Sequence, residues 1–81
     1  MTEQFRRKVT RSNGNCQIYE RDNKYFVGTK SEGVLYRLEV KKDKAYELAA
    51  NHNDAAVFDS VRKIIEKARM DNDKNLIKSK G

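Results

Sequence analysis

The chain has no proline, one cysteine, one histidine and four glycines among its 81 residues. Each scarcity excludes something. Cys16 alone can close no internal disulfide and shows no redox pair. With only His52 beside it, no standard all-protein Cys/His zinc site can be assembled. Gly14, Gly28, Gly33 and Gly81 form no GxGxxG or Walker spacing, so no glycine-rich loop cradles a phosphate. No apolar run exceeds four residues, far short of the ~20 that span a bilayer as a helix. The opening MTEQFRRKVT has no apolar stretch after its basic residues, so no secretory signal is read there. Asp71-x-Asp73 lacks the glycine and terminal glutamate of a calcium loop. His52, in Asn51-His52-Asn53-Asp54, has Asp54 to orient it but no matching nucleophile, and reads as an exposed loop histidine. Cys16 reads as a small buried core residue. The sequence therefore predicts a cytoplasmic binding protein with no enzymatic activity, no cofactor and no membrane partner.

What is present is positive charge, unevenly spread. Eighteen Lys and Arg oppose twelve Asp and Glu, a net +6. Residues 1–44 hold eleven cations against six acids, and residues 45–81 seven against six. The excess is densest in Arg6-Arg7-Lys8-x-x-Arg11. Such a field attracts phosphate backbones or acidic proteins. A charge of this size is also ordinary solubility chemistry in a small domain.

Periodicity predicts the organisation. Residues 1–14 read as a basic, partly flexible N-terminal arm with no proline to stiffen it, residues 15–71 as a single α+β domain, and residues 72–81 as a flexible tail. Asn13-Gly14 marks a turn. Short strands over 16–20 and 24–28 flank a turn at 21–23, and Gly33 serves a second turn. Residues 34–41 alternate cleanly, with Val34, Tyr36, Leu38 and Val40 on one face and Arg37, Glu39 and Lys41 on the other. Tyr46, Leu48 and Ala50 alternate like a final hairpin strand, although Ala45, Leu48 and Ala49 also fit a short helix. From Asn53 or Asp54 as cap, Val57, Phe58, Val61, Ile64, Ile65 and Ala68 make a helical stripe ending near Met70 to Asp71. The expected architecture is α+β, an antiparallel meander of three to four strands packed on one C-terminal amphipathic helix. Its core is Ile18, Val27, Tyr36, Leu38, Val40, Leu48, Val57, Phe58, Val61, Ile64 and Ile65. So thin a core leaves homodimerisation expected as an aid to stability.

The wet face of this sheet carries the functional reading. Gln17, Tyr19 and Arg21 alternate with Cys16, Ile18 and Glu20, and Lys24, Phe26 and Gly28 with Tyr25 and Val27. Together with Arg37, Glu39 and Lys41 they set two aromatics among cations. Such a face can stack single-stranded bases and bind phosphate. A three-stranded sheet can alternatively enter the major groove of DNA. Tyr19 and Phe26 can also simply pack on cross-strand neighbours or a second subunit. Arg6, Arg7, Lys8 and Arg11 are the arm's phosphate candidates. Lys41, Lys42 and Lys44 are placed at a hairpin tip, and Arg62, Lys63, Lys67 and Arg69 on the outer side of the helix. The predicted function is a small basic nucleic-acid-binding accessory protein, for DNA more than RNA, using its N-terminal arm and open sheet face. The alternative is a small phage or mobile-element protein that binds and inhibits or adapts a larger, acidic host protein. A basic stripe joining Arg7, Arg11, Arg21 and Arg37 favours the first; interruption by Glu20, Glu32 and Glu39 favours the second.

Overall fold

Two tight turns organise the centre of the chain. Asp22 and Asn23 (φ 53° and 65°) close one hairpin, and Glu32 and Gly33 (φ 53° and 77°) close the next. Two consecutive positive φ angles match the right-handed twist of the strands they join, and Gly33 adopts its angle without a Cβ penalty. In this computed structural model, which describes residues 5–12 and 14–80, the turns connect β2 (Gly14–Arg21), β3 (Lys24–Ser31) and β4 (Val34–Val40). Asn13 of the expected Asn-Gly turn, residues 1–4 of the expected arm and Gly81 lie outside the described residues.

Two further strands form where the sequence reads an arm and a tail. β1 (Arg6–Arg11) pairs with β2, and β5 (Ile77–Lys80) pairs with β4. The result is one open antiparallel sheet of five strands in the order β1-β2-β3-β4-β5. β1 escapes a periodicity reading because Val9 is its only aliphatic residue. One of its inward positions is taken by Arg7, which is satisfied by helix carbonyls instead of by apolar contact.

The expected strand over 45–50 is corrected to a helix, α1 (Lys42–Ala50). Alanine, leucine, lysine and glutamate are all strong helix formers. Only a helix buries both Ala45 and Leu48 while leaving Tyr46 47% exposed. Lys41, Lys42 and Lys44 therefore sit at the start of α1 and not at a hairpin tip. The second helix, α2 (Asp54–Met70), begins where the sequence places it: the Asn53 side chain accepts from the Ala56 N–H at 3.2 Å. It ends in a Schellman arrangement around Asn72 (φ 52°). The Asp73 N–H donates to the Ala68 carbonyl at 2.9 Å, and the Asn72 N–H to that of Arg69 at 3.2 Å.

Both helices cover one side of the sheet. Val9, Cys16, Ile18, Val27, Tyr36 and Leu38 meet Ala45 and Leu48 of α1 and Val57, Phe58, Val61, Ile65 and Ala68 of α2. Of the expected core, only Val40 and Ile64 are merely half-buried at its margin. Phe5, Tyr25 and Tyr46 pin α1 to the sheet, with Phe5 and Tyr46 stacked at 4.8 Å.

Cys16 is buried as expected, and burial pushes its thiol up to about 11. The folded state thus holds the proton more tightly than the unfolded chain, whose thiol sits near 9.0. This contribution to stability is complete below pH 9 and is lost as pH rises toward 11. At pH 9 the thiol of the folded protein should react with a disulfide reagent at least about tenfold more slowly than in denaturant; equal rates would place Cys16 in a solvated site.

Candidate nucleic-acid interface

Alternation along the strands sends the other side chains to the face that carries no helix. The register aligns Arg6, Tyr19, Phe26 and Glu39 in one cross-strand row. Lys8, Gln17, Gly28, Arg37 and Ile77 form the next. Arg21 and Lys24 flank the first row at the β2–β3 turn, while Lys30 and Leu35 flank the second. This face therefore carries six cations (Arg6, Lys8, Arg21, Lys24, Lys30 and Arg37) against the carboxylate of Glu39, with Asp22 of the β2–β3 turn lining the smaller groove beside them. Glu20 lies on the helix side, and Glu32 occupies the β3–β4 turn.

Two details shape the middle of the face. Tyr19 and Phe26 are stacked at 5.4 Å between centroids and 19° between planes, with Tyr19 only 8% exposed. This is the cross-strand packing weighed for them, and it leaves Phe26 half-buried at the surface. Beside them, Gly28 makes a notch in the sheet. A Cβ there would lie 3.3 Å from the Tyr36 carbonyl oxygen and 3.4 Å from Arg37 Cγ. The missing side chain lets Arg37 lie close across the sheet. Arg37 Nε is buried and, among the described residues, has no hydrogen-bond partner. Two shallow grooves of about 350 Å³ and 280 Å³ share Tyr19, Arg21 and Arg37 as lining.

Tyr19, Arg21, Lys24, Phe26 and Arg37 are thus brought to one face, as the sequence places them, and Arg6 and Lys8, read as part of an arm, join them from β1. Three candidates are not. Arg7 points to the helix side, where Nη1 donates to the carbonyl of Ala49 at 2.7 Å and also to that of Asn51. Its Nη2 meets Asp54 Oδ1 at 2.5 Å. Arg11 shares the side of Arg7 and Val9 and lies exposed at the end of β1. Lys41 precedes α1. The expected stripe through Arg7, Arg11, Arg21 and Arg37 is therefore corrected: Arg6 and Lys8, from the opposite parity of the same strand, complete it. Asp54 pairs with Arg7, and His52 is exposed in the interhelical loop.

Sequence reasoning missed Lys30, Leu35 and Ile77 on this face. Lys30 continues the parity of Phe26 and Gly28, and Leu35 that of Arg37, so a longer β3 and a strict reading of β4 would have found both. Ile77 carries no such signal, because β5 is only four residues long.

The chain was compared with protein-family models, with characterised proteins and with solved structures, and it matches none of them.

Proposed function

We propose that this protein binds nucleic acid through the helix-free face of its sheet. One observation carries the reading. Among the described residues the ion pairs are Arg7–Asp54, Lys44–Glu47, Arg62–Glu66 and Lys67–Asp71, and none of them uses a cation of that face. Four cations off the open face are paired in this way; the six on it are not. Uncompensated cations gathered on one face suit a polyanion. The face positions phosphates through Arg6, Lys8, Arg21, Lys24, Lys30 and Arg37, and no bond is made or broken.

The test is a salt titration of binding to a labelled oligonucleotide by fluorescence anisotropy. Engagement of about six phosphates gives a slope of log affinity against log salt of about −4.2 on a single strand and about −5.4 on a duplex. Absence of binding at low salt would sink the proposal. A second reading has its own observation: Leu35 and Ile77, the latter 42% exposed, put aliphatic surface beside Tyr19, Phe26 and three arginines. Aromatics, aliphatics and arginine together are also the composition of a protein-binding patch. Under that reading the partner is an acidic protein, and binding to nucleic acid is absent or flat with salt.

A further inference from the structure

We infer that the ligand of the open face is a single strand, with one unstacked base seated against Phe26 and an adjacent phosphate on Arg37. This rests on the nucleic-acid reading and names its substrate class. The smaller groove, about 280 Å³, is lined by Phe26 on β3 and Ile77 on β5, with Arg21, Lys24 and Arg37 around it and Asp22 as its one acidic residue. β4 runs between the two apolar walls and presents Arg37 and, directly opposite Phe26, the exposed Glu39. The walls stand two strand spacings apart, about 9.5 Å across the sheet, and one cross-strand row apart along it, wide enough for a planar ring to enter obliquely. Tyr19 backs Phe26 from the β2 side with nearly parallel planes, so the free side of the Phe26 ring is the one turned toward the groove. A base inserted there extends the Tyr19–Phe26 stack by one ring.

Arg37 supplies the second, independent feature. Its Nε is buried without a partner beside Gly28. A buried donor left unsatisfied is costly, and because Nε has no open surface in this conformation, a ligand oxygen satisfies it only with a shift of the Arg37 side chain. A phosphate attached to a base on Phe26 brings such an oxygen with its charge, and Arg21 and Lys24 lie around the same groove.

A duplex fits these features poorly. Its bases are stacked on one another and present only their edges, leaving no ring face for Phe26. From β1 to β5 the sheet spans four strand spacings, about 19 Å, against a major groove about 12 Å wide that admits a two-stranded ribbon. The cations run from Arg6 on β1 to Arg37 on β4, so insertion of two strands would leave half of them unused. A flexible single strand crosses all of them.

The experiment uses the intact protein, a short mixed-sequence single strand and a blunt hairpin duplex of the same sequence. The chain has no tryptophan, so F26W installs a unique reporter at the subsite. Its emission should be quenched by the single strand and little changed by the hairpin. F26L keeps apolar volume against Tyr19 but removes the ring. It should weaken single-strand binding about tenfold to a hundredfold, the range set by loss of a base–aromatic stack, while F26Y retains it. Thermal melts of each variant separate this from a folding defect. If the hairpin binds as tightly as the single strand and F26L is indifferent, the inference falls while the nucleic-acid function stands. If neither form binds at low salt, the function itself falls and takes the inference with it.

Discussion

Replacing Arg7 with methionine is expected to destabilise the fold by about 2–3 kcal/mol while leaving the nucleic-acid affinity of the folded protein within about twofold of wild type. The first number follows from what the guanidinium touches. α1 has no basic residue in its own last turn, and the last carbonyls of a helix have no partner within it. Arg7 reaches from β1 to the carbonyls of Ala49 and Asn51, supplying both donors and a positive charge at the negative end of the α1 dipole. Its bond to Asp54 crosses to the first residue of α2, so one side chain ties together a strand and two helix ends. The Asp54 side chain is more than half exposed, and that ion pair is screened to about 0–1 kcal/mol. The carbonyl bonds, on the half-buried side of Arg7, carry most of the effect. Lysine at this position restores the charge but cannot fork to three acceptors, and should recover only part of the loss. Denaturant unfolding of R7M and R7K, followed by anisotropy on each folded variant, checks both claims. Full stability with a tenfold loss of affinity would mean that Arg7 leaves the helices and serves the ligand instead.

Arg7 also shows why some of this protein was legible in its sequence and some was not. Period-2 alternation in Val34–Val40 and the stripe of α2 report burial directly, because apolar side chains fill those inward positions. β1 breaks that link. Its inward row is Arg7, Val9 and Arg11: Val9 alone makes core contact, Arg7 takes polar partners from distant helix ends, Arg11 is exposed, and no local pattern announces this. α1 fails differently: Tyr46, Leu48 and Ala50 alternate by accident, and the meaningful spacing is the single Ala45–Leu48 step. β5 is held by pairing with β4 and by little side-chain burial. The face assignment of Tyr19, Arg21, Lys24, Phe26 and Arg37 succeeded because the buried residues opposite them, Ile18, Val27 and Leu38, fix the parity of their strands. Where nothing apolar fixes parity, as in the basic N-terminal run, no local pattern says that Arg6 and Lys8 reach the open face and Arg7 and Arg11 do not.

Arg37→Glu is expected to weaken oligonucleotide binding by roughly 10- to 150-fold, the equivalent of losing one charge-assisted hydrogen bond of about 1.5–3 kcal/mol. It should also make the salt slope shallower by about 1. Arg37 is chosen because both grooves of the open face share it and its stem lies against Gly28. Its removal is therefore felt wherever along the face a strand lies. The decisive comparison is Lys63→Glu, which makes the same change in net charge at an exposed site on α2, away from the open face. If binding follows only the protein's overall charge, R37E and K63E lose affinity together. If the open face is the binding surface, K63E stays within about threefold of wild type, because exposed charges farther apart than about 8–10 Å are screened at physiological salt. Stability should separate the two explanations further. R37E places a carboxylate among Arg21, Lys24 and Lys30, which relieves like-charge crowding on the sheet and leaves the unfolding midpoint close to that of wild type. Binding lost at an unchanged midpoint then belongs to the face and not to the fold. Equal losses in R37E and K63E would return the positive charge of this chain to a general property of its surface.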